Sequence, residues 1–361
     1  MAEKDSKTLY DYKEEIHRCS KCGICQSSCP LYQLTGNECT VSRGQFIMLD
    51  GVVNNKLDLT KNINKYLDLC LKCNKCSHSC PSGIEVIDIL LAAKHEYFKN
   101  SLQGKIYGFL ESKMFFNSIL NTFKFFTKAF RKKSKPCTKK AVYFGGCISA
   151  IKPDTHNFII TLLNKMDIEV VEADFGCCGM PFLTTGNLER FKEQIKDNLE
   201  ALPEDFDYFI TDCASCEWAW SQYSKYVDDE RLANIPFKNI YELIAESDIK
   251  FETKKKQRVT YHQPCHETHN DEILKIIQKI EGLEYCELKG KDECCGFASF
   301  ENPTTLKTTF PVFKKKAENI KKTHAKTVLT TCVGCLVSLN LITKGKANRL
   351  ISFLRKNCFI K

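Results

Sequence analysis

Two short cysteine runs constrain this chain more than any other feature of its sequence. Residues 19–30 read CSKCGICQSSCP and residues 70–81 read CLKCNKCSHSCP, so in each run four cysteines are separated by two, two and three residues and followed by proline. A run of this kind wraps three thiolates around one [4Fe–4S] cube and sends the fourth thiolate to a neighbouring cube. The proline ends each loop because its φ is fixed and it has no N–H to donate.

Two such runs predict two [4Fe–4S] cubane clusters with crossed ligands. The first cluster is expected on Cys19, Cys22, Cys25 and Cys80, and the second on Cys70, Cys73, Cys76 and Cys29. Zinc is a weaker alternative, because its sites usually consist of two separated ligand pairs and do not require the third cysteine or the Cys-Pro step. Disulfides are not expected, since the opening residues MAEKDSKTLYDYKEE are charged and contain no apolar segment of a secretory signal.

The net charge of the 361-residue chain is confined to one segment. Residues 101–140 contain ten Lys or Arg and one acid, a net charge equal to the +9 of the whole chain. The remainder is therefore balanced, and nucleic-acid binding is not expected, because the basic residues are local and interspersed with phenylalanines. The length allows two or three domains.

Residues 101–138 predict a basic, phenylalanine-rich amphipathic linker helix. Its apolar residues recur every three to five positions, at Tyr107, Leu110, Met114, Ile119, Phe123, Phe126 and Phe130. The segment lacks the roughly 18 consecutive apolar residues of a membrane span. Such a helix can lie in a membrane interface, although docking on a partner subunit or burial in the chain's own core fits the same pattern.

The segment divides a helical part of the chain from a duplicated one. Before it, residues 1–100 predict an α-helical two-cluster ferredoxin domain, because the forty residues between the runs show helical apolar spacing. After it, a cysteine pattern occurs twice and indicates duplicated modules over residues 139–248 and 249–361. The cysteines of the pattern are Cys147, Cys177, Cys178, Cys213 and Cys216 in the first module, and Cys265, Cys294, Cys295, Cys332 and Cys335 in the second.

Each module is predicted to be an α/β unit. Short apolar runs such as AVYF and TVLTT alternate with helical patterns such as HNFIITLLNKM, which is typical of βαβ units with a mainly parallel sheet. Since each cysteine group follows a strand, we expect the thiols at the carboxyl ends of the strands, where open α/β sheets bind ligands.

Five thiols per module leave the type of centre open. A cube needs four protein ligands, so the fifth suggests an unusual cluster with a shared sulfur, or a cube beside one redox-active cysteine. Zinc is the competitor here, because paired cysteines are common zinc ligands. Three histidines flank Cys265, and each is either structural or able to donate to a cluster sulfur or handle a proton. They are His262, His266 and His269.

Taken together, these motifs resemble those of the cysteine-rich-domain iron–sulfur oxidoreductases. That family includes the iron–sulfur subunits of glycolate oxidase, of anaerobic glycerol-3-phosphate dehydrogenase and of heterodisulfide reductase. The resemblance extends from Cys19 to Cys335. It implies one or two further iron–sulfur clusters, with non-cubane [4Fe–4S] as one candidate type, held by the five cysteines of each module.

The chain is accordingly expected to be the iron–sulfur subunit of a multi-subunit oxidoreductase. No G-x-G-x-x-G follows a strand, so a flavin or nicotinamide would belong to another subunit. We expect electron relay between an FAD-containing dehydrogenase, acting on glycolate, lactate or glycerol 3-phosphate, and a membrane quinone or similar acceptor. The expected location is cytoplasmic, peripheral on the inner membrane face, with a membrane anchor subunit as a further candidate partner. The alternatives are a heterodisulfide-reductase-like catalyst that cleaves disulfides at the modules, and a zinc-held scaffold. No catalytic residue is assigned.

Overall fold

The computed structural model describes residues 2–3, 6–112, 122, 125–147, 152–298 and 305–361. Its N-terminal part is helical, as predicted. A 3-10 turn at Tyr10–Tyr12 leads into the first helix. The helices of this part are α1 Lys13–His17, α2 Ile24–Ser28, α3 Pro30–Thr35, α4 Ser42–Val53, α5 Lys61–Asp68, α6 Lys75–His78, α7 Val86–Asn100 and α8 Leu102–Leu110, with a second 3-10 turn at Glu38–Thr40.

Local sequence signals set the ends of several of these helices. Pro30 is the first residue of α3, where a missing N–H costs nothing, and Gly36 ends that helix at a left-handed φ of 63°. The side chain of Thr60 accepts from the Ile63 N–H at the start of α5. Helices α4 and α5 fill the segment between the two cysteine runs and bury Phe46, Leu49 and Leu67 in the N-terminal core.

The remainder of the chain is α/β. Its described helices are α9 Pro153–Lys165, α10 Met180–Thr185, α11 Leu188–Glu200, α12 Ala214–Gln222, α13 Arg231–Asn234, α14 Ile240–Glu246, α15 Asn270–Lys279, α16 Leu306–Lys322, α17 Val333–Thr343 and α18 Leu350–Asn357, with a 3-10 turn at Tyr223–Lys225. The strands of the whole chain are β1 Ala2–Glu3, β2 Lys139–Phe144, β3 Ile168–Val171, β4 Tyr208–Thr211, β5 Val227–Asp228, β6 Phe237–Asn239, β7 Phe251–Tyr261, β8 Glu281–Tyr285, β9 Thr327–Thr330, β10 Ala347–Arg349 and β11 Cys358–Ile360.

The two modules have the same sheet topology. In the first, the order is β3-β2-β4-β6 and all neighbours are parallel. In the second, β8, β7, β9 and β10 repeat that order, again in parallel. This confirms the predicted α/β fold with parallel sheets. The second sheet gains β11, which pairs antiparallel with the start of the long strand β7 and which the sequence analysis did not predict.

The structure corrects the prediction of one continuous helix over residues 101–138. Helix α8 ends at Leu110, and residues 131–137 are not helical. The Glu111 carboxylate binds Thr185 and Asn187 of the first module, and further on the backbone N–H of Lys132 donates to the Asn157 side chain instead of to a helical carbonyl. Met114, Ile119 and Phe123, part of the predicted apolar stripe, lie outside the described residues.

The three parts pack into connected cores. One core contains Ile159 and Ile210 of the first module together with Ile273 and Leu329 of the second. Helix α7 of the N-terminal part reaches the first module, where Lys94 Nζ donates to the Thr184 carbonyl at 2.7 Å. Lys94 also pairs with Asp68 at 3.1 Å, and both side chains are almost fully buried. The thiol-bearing loops are thereby held in fixed relative positions.

Candidate iron–sulfur centres

The first cavity of the N-terminal part is lined by the sulfurs predicted for the first cluster. Its lining includes Cys19, Cys22 and Cys25 of the first run and Cys80 of the second. Cys22 is exposed, whereas the other three are partly buried. The structure therefore brings together all four members of that predicted set at a site that reaches the surface.

A second cavity is lined by the other predicted set. Cys70, Cys73 and Cys76 of the second run meet Cys29 of the first, at the boundary with α3. Cys76 also lines the first cavity, so the two cavities are neighbours. The fourth cysteine of each run thus lines the cavity that contains the first three cysteines of the other run.

The two loops share an unusual backbone conformation. Lys21 and Gly23 of the first run have φ of 57° and 85°, and their counterparts Lys72 and Asn74 have φ of 52° and 61°. Left-handed residues at two alternate positions curl each loop so that its backbone N–H groups face inward. The Lys72 N–H accordingly points at the Cys70 sulfur, 3.4 Å away. Such N–H groups stabilise negative charge on sulfur.

Burial opposes ionisation of these thiols in the free protein. Desolvation raises the pKa of Cys29, Cys73 and Cys76 above its ordinary value. The N–H of Ile24, in contrast, lowers the pKa of the exposed Cys22. Iron binds the thiolate form, so the charge of a bound cluster has to offset the desolvation of these three partly buried sulfurs.

In the modules, all ten pattern thiols form one continuous group. Eight of them are buried, and Cys147 and Cys265 at the two ends are partly exposed. Each thiol contacts the next. The succession is Cys147, Cys177, Cys178, Cys216, Cys213, Cys332, Cys335, Cys295, Cys294 and Cys265.

The midpoint of this succession is the contact between the modules. Cys213 and Cys332 follow equivalent strands, β4 and β9, and their side chains meet. Ser215 Oγ lies 2.9 Å from Cys332 Sγ, which adds a cross-module hydrogen bond. The order of the thiols is therefore the same when followed from either end, with equivalent cysteines of the two modules at equivalent places. The sequence gives no sign of this contact, because it arises from docking of the modules.

Glycine is required after each cysteine pair. Gly179 and Gly296 have φ of 80° and 83°, a region that favours glycine. A Cβ at either position would lie within 3.0 Å of an aromatic ring, Phe191 in the first module and Phe313 in the second. The Gly296 N–H lies 3.3 Å from Cys294 Sγ. These glycines let the loop pass under the ring and turn its N–H toward sulfur.

Neighbouring thiols polarise one another within each pair. Contacts with Cys177 and Cys216 lower the pKa of Cys178, and contacts with Cys294 and Cys335 lower that of Cys295. The pKa values of Cys216 and Cys294 are raised in turn by the same kind of contact. Contacts with Cys213 and Cys335 lower the pKa of Cys332 as well, so in the second module the lowered pKa is not confined to the cysteine pair.

The N-terminal part meets the second module beside the second cavity. His266 Nε2 lies 3.0 Å from the carbonyl oxygen of Lys72, and its ring stacks on Trp218 of the first module with centroids 4.5 Å apart. Lys75 and Asp292 form an ion pair at 2.5 Å. Desolvation is the main cause that raises the pKa of Cys73, and the charge of Cys265 is the next largest cause. The second cavity thus adjoins the Cys265 end of the thiol succession.

The three histidines near Cys265 have different surroundings. His266 bridges the parts as just described, and His269 Nε2 pairs with Glu217 at 2.8 Å. His262 is fully buried, and its ring lies close to the sulfurs of Cys295 and Cys335, with the three candidate ligand atoms within 4.8 Å of one another. Of the three, His262 is the one whose ring faces the sulfurs of its own module.

Comparison with known proteins agrees with this architecture. Residues 141–220 and 259–340 match the cysteine-rich domain family, and residues 15–84 match the 4Fe-4S dicluster domain family. Together the matches cover more than half of the chain. The fold and the thiol groups define an iron–sulfur subunit of the oxidoreductase class. More particularly, the chain belongs to the cysteine-rich-domain iron–sulfur proteins that carry an N-terminal dicluster domain.

Two of the relatives match this chain over nearly its full length. The chain is 25% identical over 414 residues to the probable glycolate oxidase iron-sulfur subunit of Bacillus subtilis, covering 94% of this chain and 93% of that protein. It is 24% identical over 367 residues to a subunit of the dihydromethanophenazine:CoB--CoM heterodisulfide reductase of Methanosarcina acetivorans, covering 89% and 87%. A crystal structure of a hypothetical Helicobacter pylori protein shares the fold, with a TM-score of 0.52, 12% identity and coverage of 86% and 67%.

Within the described residues, no helix combines the length and the apolar character needed to traverse a bilayer.

Proposed function

We propose that this chain relays electrons, one at a time, between a flavoprotein dehydrogenase and a membrane quinone or similar acceptor. The observation that carries the proposal is the unbroken run of sulfur sites. It starts at the exposed Cys22, passes through two adjacent cavities and continues through the module thiols to Cys147. Sulfur-ligated iron at such sites exchanges single electrons and needs no substrate of its own.

The ligand sets we propose are those predicted from the sequence. Each cavity of residues 1–100 would hold a [4Fe–4S] cube on its four cysteines. Residues 139–248 and 249–361 would hold one or two further clusters on Cys147, Cys177, Cys178, Cys213 and Cys216 and on Cys265, Cys294, Cys295, Cys332 and Cys335. The donor set fits iron–sulfur clusters, because thiolates are the ligands such clusters use and the loops present N–H groups to sulfur.

The chemistry at the two ends follows from electron balance. Oxidation of a 2-hydroxy acid or of glycerol 3-phosphate transfers a hydride to a flavin. The reduced flavin would then pass its two electrons to this chain one at a time and release protons. At the other end, two electrons and two protons reduce a quinone to a quinol. The glycolate oxidase relative supports a 2-hydroxy acid such as glycolate or lactate as the partner's substrate.

The membrane end of this proposal depends on the segment 101–138. Most of its described apolar side chains are exposed, including Phe109, Phe125, Phe126 and Phe130, and Phe125 is 77% exposed. Tyr107 is half-buried. Lys128, Arg131, Lys132 and Lys133 lie beside Phe125 along one open cleft. Exposed rings next to lysines favour an anionic membrane surface, where rings enter the interface and cations meet lipid headgroups. Docking on a membrane anchor subunit is the other outcome.

The experiment is anaerobic purification of the chain with the flavoprotein encoded beside it. We expect a complex whose clusters are reduced on addition of the 2-hydroxy acid, as seen by loss of visible absorbance and new paramagnetic resonance signals. A chain that holds iron and sulfide but is never reduced through any flavoprotein would reject the relay. Zinc in place of iron would reject iron–sulfur chemistry altogether.

A second candidate is disulfide reduction at the modules. Five thiols per module exceed the needs of a cube, and the heterodisulfide reductase relative points the same way. Two electrons and two protons would convert one disulfide into two thiols. Dithionite-reduced protein, freed of excess reductant, should then be reoxidised by a disulfide without any flavoprotein. If the disulfide leaves the reduced spectrum unchanged, this candidate is excluded.

A further inference from the structure

The two modules have the same fold but place different groups against their thiols. The position three residues before the first cysteine is Phe144 in the first module and His262 in the second. Phe144 is fully buried among aromatic rings, with Phe175 and Trp220 at centroid distances of 5.2 and 5.3 Å. Cys177 and Cys213 belong to the same apolar cluster. On the side of Phe144, the first thiol group therefore lies in apolar surroundings.

His262 faces the second thiol group with a polar edge. Within the described part of the chain, neither of its ring nitrogens has a hydrogen-bond partner of ordinary geometry. The Cys295 sulfur and the backbone of Lys291 are the groups that lie beside its ring nitrogens. Burial lowers the pKa of His262, and a neutral imidazole still carries one N–H to donate. A buried N–H without a partner is costly, so the Cys295 sulfur and the Lys291 carbonyl are the two acceptors that can account for its presence.

A second difference lies on the helix after each cysteine pair. Phe191 and Phe313 are structural equivalents, since each packs under the glycine that follows its cysteine pair. Three residues further on, the first module has Gln194 and the second has Lys316. Lys316 is 1% exposed, and its Nζ donates to the Gly290 carbonyl at 2.6 Å. The sulfurs of Cys294, Cys295 and Cys335 are close enough to act on its charge.

The balance of nearby charges strengthens this contrast. Near the first thiol group, Arg190 of the first module pairs with Glu193 at 3.6 Å, and the buried Arg349 of the second module, which lies beside Cys213, pairs with Asp212. Lys316 has no carboxylate within ion-pair distance among the residues described. The nearby Glu293 is itself paired with Lys315 at 2.7 Å. The positive charge of Lys316 is thus less offset than the charges around the first group.

We infer that His262 and Lys316 make the iron–sulfur centre of the second module easier to reduce than that of the first. A donor and a cation both stabilise the extra negative charge that a centre gains with an electron, and an apolar wall does not. The second cavity adjoins the Cys265 end of the succession, so electrons from the N-terminal part reach this centre first and are held there. The inference rests on the proposed function, because it requires a centre in each module.

The test is a redox titration of the anaerobic, iron-loaded full chain, followed by paramagnetic resonance. His262→Phe and Lys316→Gln, which copy the first module, should each move one and the same centre to lower potential. We expect about a tenfold fall in its reduced-to-oxidised ratio at fixed potential, which is ~59 mV for one electron. Gln194→Lys should move a different centre upward. Lys316→Arg, which keeps the charge, should leave all potentials in place.

Iron content separates the outcomes. Unchanged potentials in both His262→Phe and Lys316→Gln at full iron content would overturn the inference and leave the electron relay intact. Loss of iron in His262→Phe alone would make His262 a ligand and also overturn it. If His262→Phe fails to fold, the Lys316→Gln and Lys316→Arg pair decides the question. A wild-type chain without iron would reject both the inference and the relay.

Discussion

His266 Nε2 lies 3.0 Å from the carbonyl oxygen of Lys72, a residue between two cysteines of the second run. The same imidazole stacks on Trp218, so one side chain joins the N-terminal part, the first module and the second module. Lys72 is also one of the two left-handed residues of its loop. The contact fixes the distance between the second cavity and Cys265.

We therefore expect His266→Ala to slow electron passage from the N-terminal clusters to the module centres several-fold without loss of iron. The lost hydrogen bond and ring contact should also lower the free energy of unfolding by about 1–3 kcal/mol. Rapid-mixing reduction, resolved by cluster, measures the first effect, and anaerobic urea unfolding measures the second. His266→Phe keeps the stacking and isolates the hydrogen bond. An unchanged transfer rate in both variants would refute a bridging role.

The crossed ligand sets that we propose give a prediction about pairs of substitutions. Cys19→Ser and Cys80→Ser should each remove the same cluster, so the double variant should lose no more iron than either single variant, about four atoms per chain. Cys29→Ser combined with Cys80→Ser should lose about twice that amount. Iron and sulfide analysis of anaerobic protein gives both numbers. Additive loss in the Cys19→Ser, Cys80→Ser pair would contradict the crossed arrangement.

The buried pair of Lys94 and Asp68 predicts a large effect on stability. Lys94→Met would remove a buried cation from the buried Asp68 carboxylate, and we expect a loss of about 3–5 kcal/mol in the free energy of unfolding. The double variant with Asp68→Asn should regain much of this loss, because the carboxylate that Lys94 neutralises is gone as well. Urea unfolding under argon measures both. Equal destabilisation in the single and double variants would show that packing, and not charge, is responsible.

The pair of His269 and Glu217 predicts a pH dependence. Burial opposes the charge of His269, but the Glu217 carboxylate, helped by Glu242 at 3.7 Å, raises its pKa above the ordinary 6.5. A raised pKa in the folded state means that the pair stabilises fully below pH 6.5 and that this contribution is lost as the pH rises through the raised value. The stability difference between the wild type and Glu217→Gln should therefore shrink from pH 6 to pH 9. A stability difference that stays constant from pH 6 to pH 9 would contradict the raised pKa of His269.

The exposed rings predict reversible binding to anionic vesicles. Phe125→Ser with Phe126→Ser should reduce sedimentation with phosphatidylserine vesicles at least tenfold, because roughly 1.5–3 kcal/mol of burial is lost per ring. Cluster content should be unchanged, since neither ring lies at a thiol site. Phe310→Ser, at an exposed ring elsewhere, is the matched control. Binding that survives the double substitution would exclude this segment as the membrane contact.

Cysteine spacing made much of the N-terminal site predictable. The intervals within CSKCGIC and CLKCNKC require a tight loop, and the structure gathers the two predicted sets of four around two cavities. The α/β modules followed equally from the alternation of apolar runs and helical patterns. These features are local, and a single sequence contains them.

Relationships between distant parts were not predictable in the same way. The contact of Cys213 with Cys332 depends on how the modules dock, and Lys316 is one of many lysines on an amphipathic helix pattern. Only alignment of the two copies on Phe191 and Phe313 shows that Lys316 replaces Gln194. The end of α8 at Leu110 depends on Glu111 finding Thr185 and Asn187 in another part of the chain. The periodicity of apolar residues within a segment does not predict partners that are distant in the sequence.

Contact between equivalent residues of two like halves is the mark of an isologous dimer contact. The contact of Cys213 with Cys332 therefore has the form that two identical subunits would make. In a single chain the halves need not be identical, since a substitution in one half does not appear in the other. The chain can in this way keep Phe144 in one half and place His262 in the other, and a symmetric pair of sites becomes a polarised one.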